Sequence, residues 1–182
     1  MMQTWTVSAG RLTIRQGDIT PLAVDALVNA ANSQLAGGGG VDGAIHEAAG
    51  TSALQAACQD IIATIGHLPP GEAVITPGFD LPAQHIIHTV GPIWHGGHNN
   101  EPATLGNAYR HCLKLAHAHD LGTIAFPAIS CGVYGYPVKD AARIALTTLK
   151  HGLETHMVTE AIMVLHGRSA YETWIAIAQD VV

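Results

Sequence analysis

The chain has 182 residues, enough for one domain with a sizeable core, and it is 48% apolar and only 12% charged, which excludes a disordered chain. Eight Lys and Arg against fourteen Asp and Glu give a net charge of −6, which excludes a large basic face and sets nucleic acid aside as a partner. No apolar run is long enough to span a membrane, and "MMQTWTVSAGRLTIRQGD" at the N-terminus lacks the order of a secretory signal.

In chain order, "TWTV" and "RLTIRQ" read as two short strands from their alternation and β-branched residues. "AVDALVNA" is a short apolar strand after the break at Thr20–Pro21. Residues 29 to 50, "NAANSQLAGGGGVDGAIHEAAG", run through four glycines into a helix start. Leu54, Cys58, Ile61, Ile62 and Ile65 recur at helical spacing over 51–65, with Thr51 or Ser52 as the expected cap. "EAVITPG" and "QHIIHTVG" are further strands, and 103–119 reads as a helix. "GTIAFPAIS" is a buried strand leading into "CGVYGYP", and Pro137 fits the first turn of a helix to about Leu149. "EAIMVLH" is a last strand, followed by a helix over 169–180. Alternating strands and helices, with strands apolar on both faces, argue for a three-layer α/β/α arrangement. No linker or repeat interrupts it, so residues 1–182 are read as one domain.

Ligands of open α/β sheets sit beyond the carboxyl ends of the strands. Three segments leave strands there with unusual composition: "GDIT" (17–20), the glycine stretch (29–50) and "SCGVYGYP" (130–137). Gly37–Gly40 before a helix start offers close backbone approach and free N–H groups, an anion site that needs no lysine. Gly132 and Gly135 repeat the pattern on the second loop, so the two can grip a diphosphate from both sides. Asn29, Asn32 and Asp42 are the polar side chains that stand out. Asn32 can hydrogen-bond sugar hydroxyls. Asp42 can cap its helix or activate a water as general base, and His46, one turn on, shares its face.

Other groups carry less. Cys58, Cys112 and Cys131 are odd in number and far apart, which suggests no disulfide framework and fits a reducing cytoplasm. Cys131 in its glycine-containing loop is a candidate nucleophile, weighed against a small residue in a close-packed loop. Among twelve histidines, His111, His117 and His119 form the best candidate metal cluster, but the spacing of 117 and 119 turns them in different directions on a helix. His85 and His88 lie three apart on a strand and face opposite sides.

Together "GDIT", "VNAANSQLAGGGGVDGAIHEAAG", "LPAQHIIHTVGP" and "PAISCGVYGYP" resemble the macro domain, in its MacroD-type branch of ADP-ribosyl hydrolases and O-acetyl-ADP-ribose deacetylases, from about residue 11 to 182. The resemblance implies a mixed, mostly parallel six-stranded sheet between helices, binding ADP-ribose without metal or cofactor. It implies that Asp18 accepts a hydrogen bond from the adenine amine beside the Ile19 backbone. Gly39, Gly40 and Val41 would wrap the diphosphate and proximal ribose, and Ser130, Cys131, Gly132, Val133 and Tyr134 would hold the diphosphate from the other side. Asn32 would position ribose hydroxyls, Asp42 would activate the hydrolytic water, and His46 would join them as a catalytic candidate. The partners implied are ADP-ribose, its esters and proteins mono-ADP-ribosylated on Asp or Glu. Nothing in the chain reads as a coiled coil or a long exposed apolar edge, so a monomer is the default expectation. Relatives often carry an acidic stretch after the last strand, where this chain has Gly167 and Arg168. The alternative is a reader that binds ADP-ribose without turnover. Readers can lack the acidic residue, and this chain keeps both Asn32 and Asp42.

Overall fold

In the computed structural model, which describes residues 1–182, seven strands and five helices alternate as read. They are β1 (Met2–Val7), β2 (Gly10–Gln16), β3 (Ala26–Ala30), α1 (Gly40–Ala49), α2 (Thr51–Ile65), β4 (Ala73–Pro77), β5 (His85–Thr89), α3 (Glu101–Ala118), β6 (Thr123–Phe126), α4 (Val138–Glu154), β7 (Glu160–Leu165) and α5 (Arg168–Val181). One sheet holds all seven strands in the order β1-β2-β7-β6-β3-β5-β4. The inner five are parallel, and β1 and β4 close the two sides as antiparallel edges. The six strands implied by the resemblance are therefore one too few. Ser8, at φ 55°, turns the chain back so that β1 pairs with β2 along its whole length.

Two apolar clusters fill the two faces. The larger has 31 buried residues, among them Trp174, Tyr109 and Phe126, with α3, α4 and α5 on that side. The smaller has 16, built from Leu27, Ile86, Ile45 and Leu54, under α1 and α2. Strands buried on both faces explain the continuous apolar runs in the sequence. No helix is long and apolar enough to cross a membrane.

Several boundaries differ from the periodicity. The strand read from Ala23 is confined to Ala26–Ala30, because the Asp25 carboxylate accepts the N–H groups of Gly122 and Thr123 at 2.9 and 3.0 Å. Neither Thr51 nor Ser52 caps α2; Gly50, at φ 97°, is the N-cap, and the Thr51 hydroxyl donates to the His46 carbonyl instead. Pro137 is the N-cap of α4 and not a first-turn residue. That helix runs on to Glu154, past Gly152, where a Cβ would meet Leu113 of α3 at 2.7 Å.

The parallel core aligns the carboxyl ends of β2, β7, β6, β3 and β5 along one edge. The segments that leave them are 17–20, 31–39, 90–100, 127–137 and 166–167.

Candidate functional site

The glycine stretch after β3 is an ordered loop braced by its own asparagine. The Asn32 side-chain oxygen accepts the N–H groups of Gln34 and Ala36 at 3.2 and 3.1 Å, and its amide donates to the Gly37 carbonyl at 2.9 Å. One Asn32 amide hydrogen is left for a ligand. Gly40 opens α1 at φ 60°, a conformation that disfavours a side chain. The N–H groups of Gly40 and Val41 fall in the first turn, where no intrahelical acceptor exists. Gly43 brings loop and helix together, since a Cβ there would lie 2.4 Å from the Gly38 carbonyl oxygen.

Asp42 is not the helix cap. Gly39 holds that position without a side-chain bond, and Asp42 lies in the first turn, 6% exposed. Its Oδ1 accepts from the Asn29 side-chain amide at 2.9 Å and lies 3.0 Å from His46 Nδ1, which also lies 3.0 Å from the Asp42 carbonyl. Both neighbours of His46 Nδ1 are acceptors, so that nitrogen carries the proton. The Asp42 Oδ2 atom accepts from no protein donor and faces Gly38, 3.7 Å from the position of a Cβ there. One carboxylate oxygen is thus held and the other turned to the glycine loop.

Asn29 continues the network into the sheet. Its amide nitrogen also lies 3.1 Å from His88 Nδ1, and His88 Nε2 lies 2.9 Å from the Thr76 hydroxyl. Asn29 and His88 are wholly buried. Burial, and then the nearby His46, lower the His88 imidazole from its ordinary 6.5 to about 3, so the ring is neutral.

The second loop follows β6. The buried Tyr109 hydroxyl of α3 donates to the Pro127 carbonyl at 3.3 Å and accepts the Ile129 N–H at 3.2 Å. The Ser130 hydroxyl donates to the Pro92 carbonyl at 2.7 Å, and the Gly135 N–H closes a turn on Gly132 at 3.0 Å. The Trp94 N–H reaches the Tyr134 carbonyl at 2.9 Å, while its ring packs 4.7 Å from Tyr136. Gly132 and Val133 project into solvent, Val133 fully exposed. Burial pushes the Cys131 thiol up to about 11; it is a thiol and not a thiolate near neutrality, which argues against a nucleophile. Segment 90–100 supports this loop. Desolvation acts to raise the Glu101 carboxyl, but the N–H groups of His95, Gly97 and Asn99 outweigh it and bring it down to about 2.

Asp18 is exposed just beyond β2, its carboxylate oxygens accepting the Thr20 N–H and hydroxyl at 2.9 Å each, while Ile19 is buried beneath. Arg168 at the start of α5 pairs with Glu172 at 2.7 Å. His111 and His117 bond to the separate carbonyls of Gly71 and Met157, and no three His, Cys, Asp or Glu side chains converge as a metal site.

The structure thus brings Asn32, Gly39, Gly40, Val41, Asp42 and His46 together on one loop and helix start. Ser130 to Tyr134 lie one strand over, and Asp18 and Ile19 three strands from β3. His88 is the member of this buried network that the sequence left without a role. Its signal was a polar residue inside "IIHTV", a strand otherwise buried on both faces. Tyr109, Trp94 and Glu101 brace the second loop and segment 90–100 and carried no local signal.

A family profile described as "Macro domain" matches residues 28–145. The chain is 56% identical over 147 residues to an "O-acetyl-ADP-ribose deacetylase" of Klebsiella pneumoniae (strain 342), covering 81% of this chain and 83% of that one. Among solved structures, it is similar to an Oceanobacillus iheyensis macrodomain with ADP, at TM-score 0.95 and 43% identity over 99% of this chain and 96% of that one. It is also similar to a Trypanosoma brucei macrodomain in complex with ADP-ribose, at TM-score 0.80 and 39% identity over 90% of this chain and 67% of that one.

Proposed function

This chain belongs to the macro domain family, and on that premise we propose that it binds ADP-ribose along the carboxyl edge of its sheet and hydrolyses ADP-ribose esters. The observation that carries this reading is the order of the loops. Asp18 leaves β2, the Ser130–Tyr134 loop leaves β6, and the glycine loop leaves β3, three strand positions from β2. Three spacings of about 4.8 Å span about 14 Å, a distance suited to an extended ligand with adenine at one end, diphosphate in the middle and ribose at the other. The charge balance fits, because backbone N–H groups at a helix start bind phosphate without lysines.

In this reading, Asp18 accepts the adenine amine beside Ile19. The Gly39–Val41 backbone and Ser130 to Tyr134 hold the diphosphate, and the free Asn32 amide hydrogen orients a ribose hydroxyl. Asp42 Oδ2 accepts a proton from a water as that water attacks the ester carbonyl. The tetrahedral intermediate collapses, Asp42 returns its proton to the leaving ribose oxygen, and O-acetyl-ADP-ribose becomes ADP-ribose and acetate, whose acid proton passes to solvent. His46 fixes the carboxylate through Oδ1 and does not itself touch the ester. An ester linking ADP-ribose to Asp or Glu of a protein is the same bond type, so such proteins are released unmodified. Positioning contributes about 7 kcal/mol or more in favourable cases, and a general base about two to four decades in rate. A half-buried, protonated thiol at position 131 and a site of glycines, Asn and Asp suit that division. The chain acts as a monomer in the cytoplasm in this reading.

The test is incubation with O-acetyl-ADP-ribose and with a Glu-linked ADP-ribosylated protein, following products by mass spectrometry. Acetate, ADP-ribose and unmodified protein are expected. Asp42→Ala should keep ADP-ribose affinity and lose about a hundredfold or more in turnover. Binding without release of acetate by the parent protein would mark a reader, and full turnover by Asp42→Ala would remove Asp42 from the mechanism.

A further inference from the structure

Beneath Asp42, on the sheet face covered by α1 and α2, three polar side chains stand where the neighbouring positions of the same strands are apolar. Asn29 of β3 is opposite His88 of β5 in the parallel register, and Thr76 of β4 lies beside His88. Around them on that face are Leu27, Ile86 and Val74. A face that needed only packing would carry aliphatic groups here too, because a buried polar group costs stability unless every bond is made. The Asn29 side-chain oxygen has no protein partner. What such a network offers over aliphatic packing is direction.

That direction follows from the atoms. The Asn29 amide nitrogen has two hydrogens and two partners, Asp42 Oδ1 at 2.9 Å and His88 Nδ1 at 3.1 Å. His88 Nδ1 must then be bare, so Nε2 carries the hydrogen and donates to the Thr76 hydroxyl at 2.9 Å. Reversing the Asn29 amide would set its oxygen against the acceptor-only Asp42 carboxylate whichever His88 nitrogen carried the hydrogen. The lowered imidazole pKa, about 3, agrees with a ring that stays neutral. With His46 Nδ1 at 3.0 Å on the same oxygen, Asp42 Oδ1 has two fixed neighbours and Oδ2 is left facing the glycine loop.

We infer that Asn29 and His88 are positioning residues for ester hydrolysis: through the Asn29 amide they lock the rotation of the Asp42 carboxylate so that Oδ2 meets the water. The inference rests on the reading of Asp42 as water activator. Loss of the lock misplaces one oxygen without touching the ADP-ribose cleft, so it acts on kcat and not on affinity.

The experiment compares His88→Phe, which removes the acceptor for Asn29, with His88→Asn, whose side-chain oxygen can replace Nδ1. Each is assayed for kcat and KM on O-acetyl-ADP-ribose, for ADP-ribose affinity by calorimetry and for thermal stability. His88→Phe should lose about ten- to hundredfold in kcat, the scale of a misplaced reacting group, with KM and ADP-ribose Kd within twofold; His88→Asn should recover most of it. Unchanged kcat in His88→Phe, or kcat and affinity lost together, overturns the inference. So does failure of His88→Asn to recover kcat while remaining folded. Asp42→Ala is run beside them: if it turns over fully the mechanism itself fails, whereas if only Asp42→Ala is impaired the positioning role alone fails. A readout on the unaltered protein covers the case of unfolded variants. Nitrogen-15 spectra of the ring should show His88 protonated at Nε2 and bare at Nδ1 at pH 7, and the opposite tautomer would refute the relay.

Discussion

Gly43→Ala sets helix propensity against the cleft. Alanine in a helix interior is favoured over glycine by about 1 kcal/mol, so propensity alone predicts a more stable protein. The structure predicts otherwise, because the new Cβ would lie 2.4 Å from the Gly38 carbonyl oxygen. Carbon and carbonyl oxygen normally meet at about 3.3 Å or more, so the glycine loop must retreat by about 0.9 Å. Overpacking of this kind costs about 1–3 kcal/mol, which the propensity gain partly offsets. The net stability change is then about 0–2 kcal/mol, at most a fall of about 8 °C in Tm for a chain of this size. The catalytic effect is larger in proportion. A shift of about 1 Å in a positioning element can cost about a hundredfold in rate, or about 2.7 kcal/mol in the barrier. Steady-state kinetics on O-acetyl-ADP-ribose and a thermal melt separate the two. Gly106→Ala, in α3 with its nearest new contact at an ordinary 3.7 Å, is the control and should melt at or above the parent with unchanged kinetics. A folded Gly43→Ala with kcat/KM within threefold of the parent would refute the argument that loop and helix start form one fitted unit.

Asp18→Ala should weaken ADP-ribose binding about tenfold, since it removes an acceptor and the bonds to Thr20 that fix the "GDIT" turn; equal calorimetric affinity would exclude the adenine contact. Amide exchange across 37–43 should slow when ADP-ribose is added, because the exposed N–H groups of Gly39 and Gly40 acquire phosphate partners; exchange unaffected by saturating ligand would place the diphosphate elsewhere. Acid should destabilise the fold in two stages. His88 has its folded pKa lowered to about 3, so the unfolded chain binds one more proton below pH 6.5 and stability falls as pH drops from there towards 3. At pH 4.5 that loss is at most about 2.7 kcal/mol, readable as a lower urea midpoint than at pH 7. Glu101 has its folded pKa lowered to about 2, so its contribution is complete above the ordinary carboxylate range and is lost as pH falls towards 2. Amides of residues 95–99 should therefore lose exchange protection below pH 4, in contrast to their behaviour at pH 5; constant protection down to pH 2 would count against the carboxylate as their anchor.

The sequence by itself determined the order of strands and helices, the two buried faces of the central strands and the three loops that build the cleft. Those features are local: apolar periodicity, glycine runs and proline breaks act within a few residues of where they stand. It also singled out Asp42 and His46, whose spacing of four puts them on one face of any helix. It misjudged what depends on a partner distant in the chain. Asp25 left its strand because Gly122 and Thr123 are nearby in space, and the helix read to Leu149 runs on to Glu154, with Gly152 against Leu113 of α3. Asp42 looked equally like a cap, and Asn29 and His88 had no role, because their meaning is a register. Only the pairing of β3 with β5 sets Asn29 opposite His88, and only the packing of α1 on that face lowers the Asp42 carboxylate onto the Asn29 amide. A hydrogen bond needs atoms within about 3 Å, and for residues 59 apart in the chain that distance is decided by the fold.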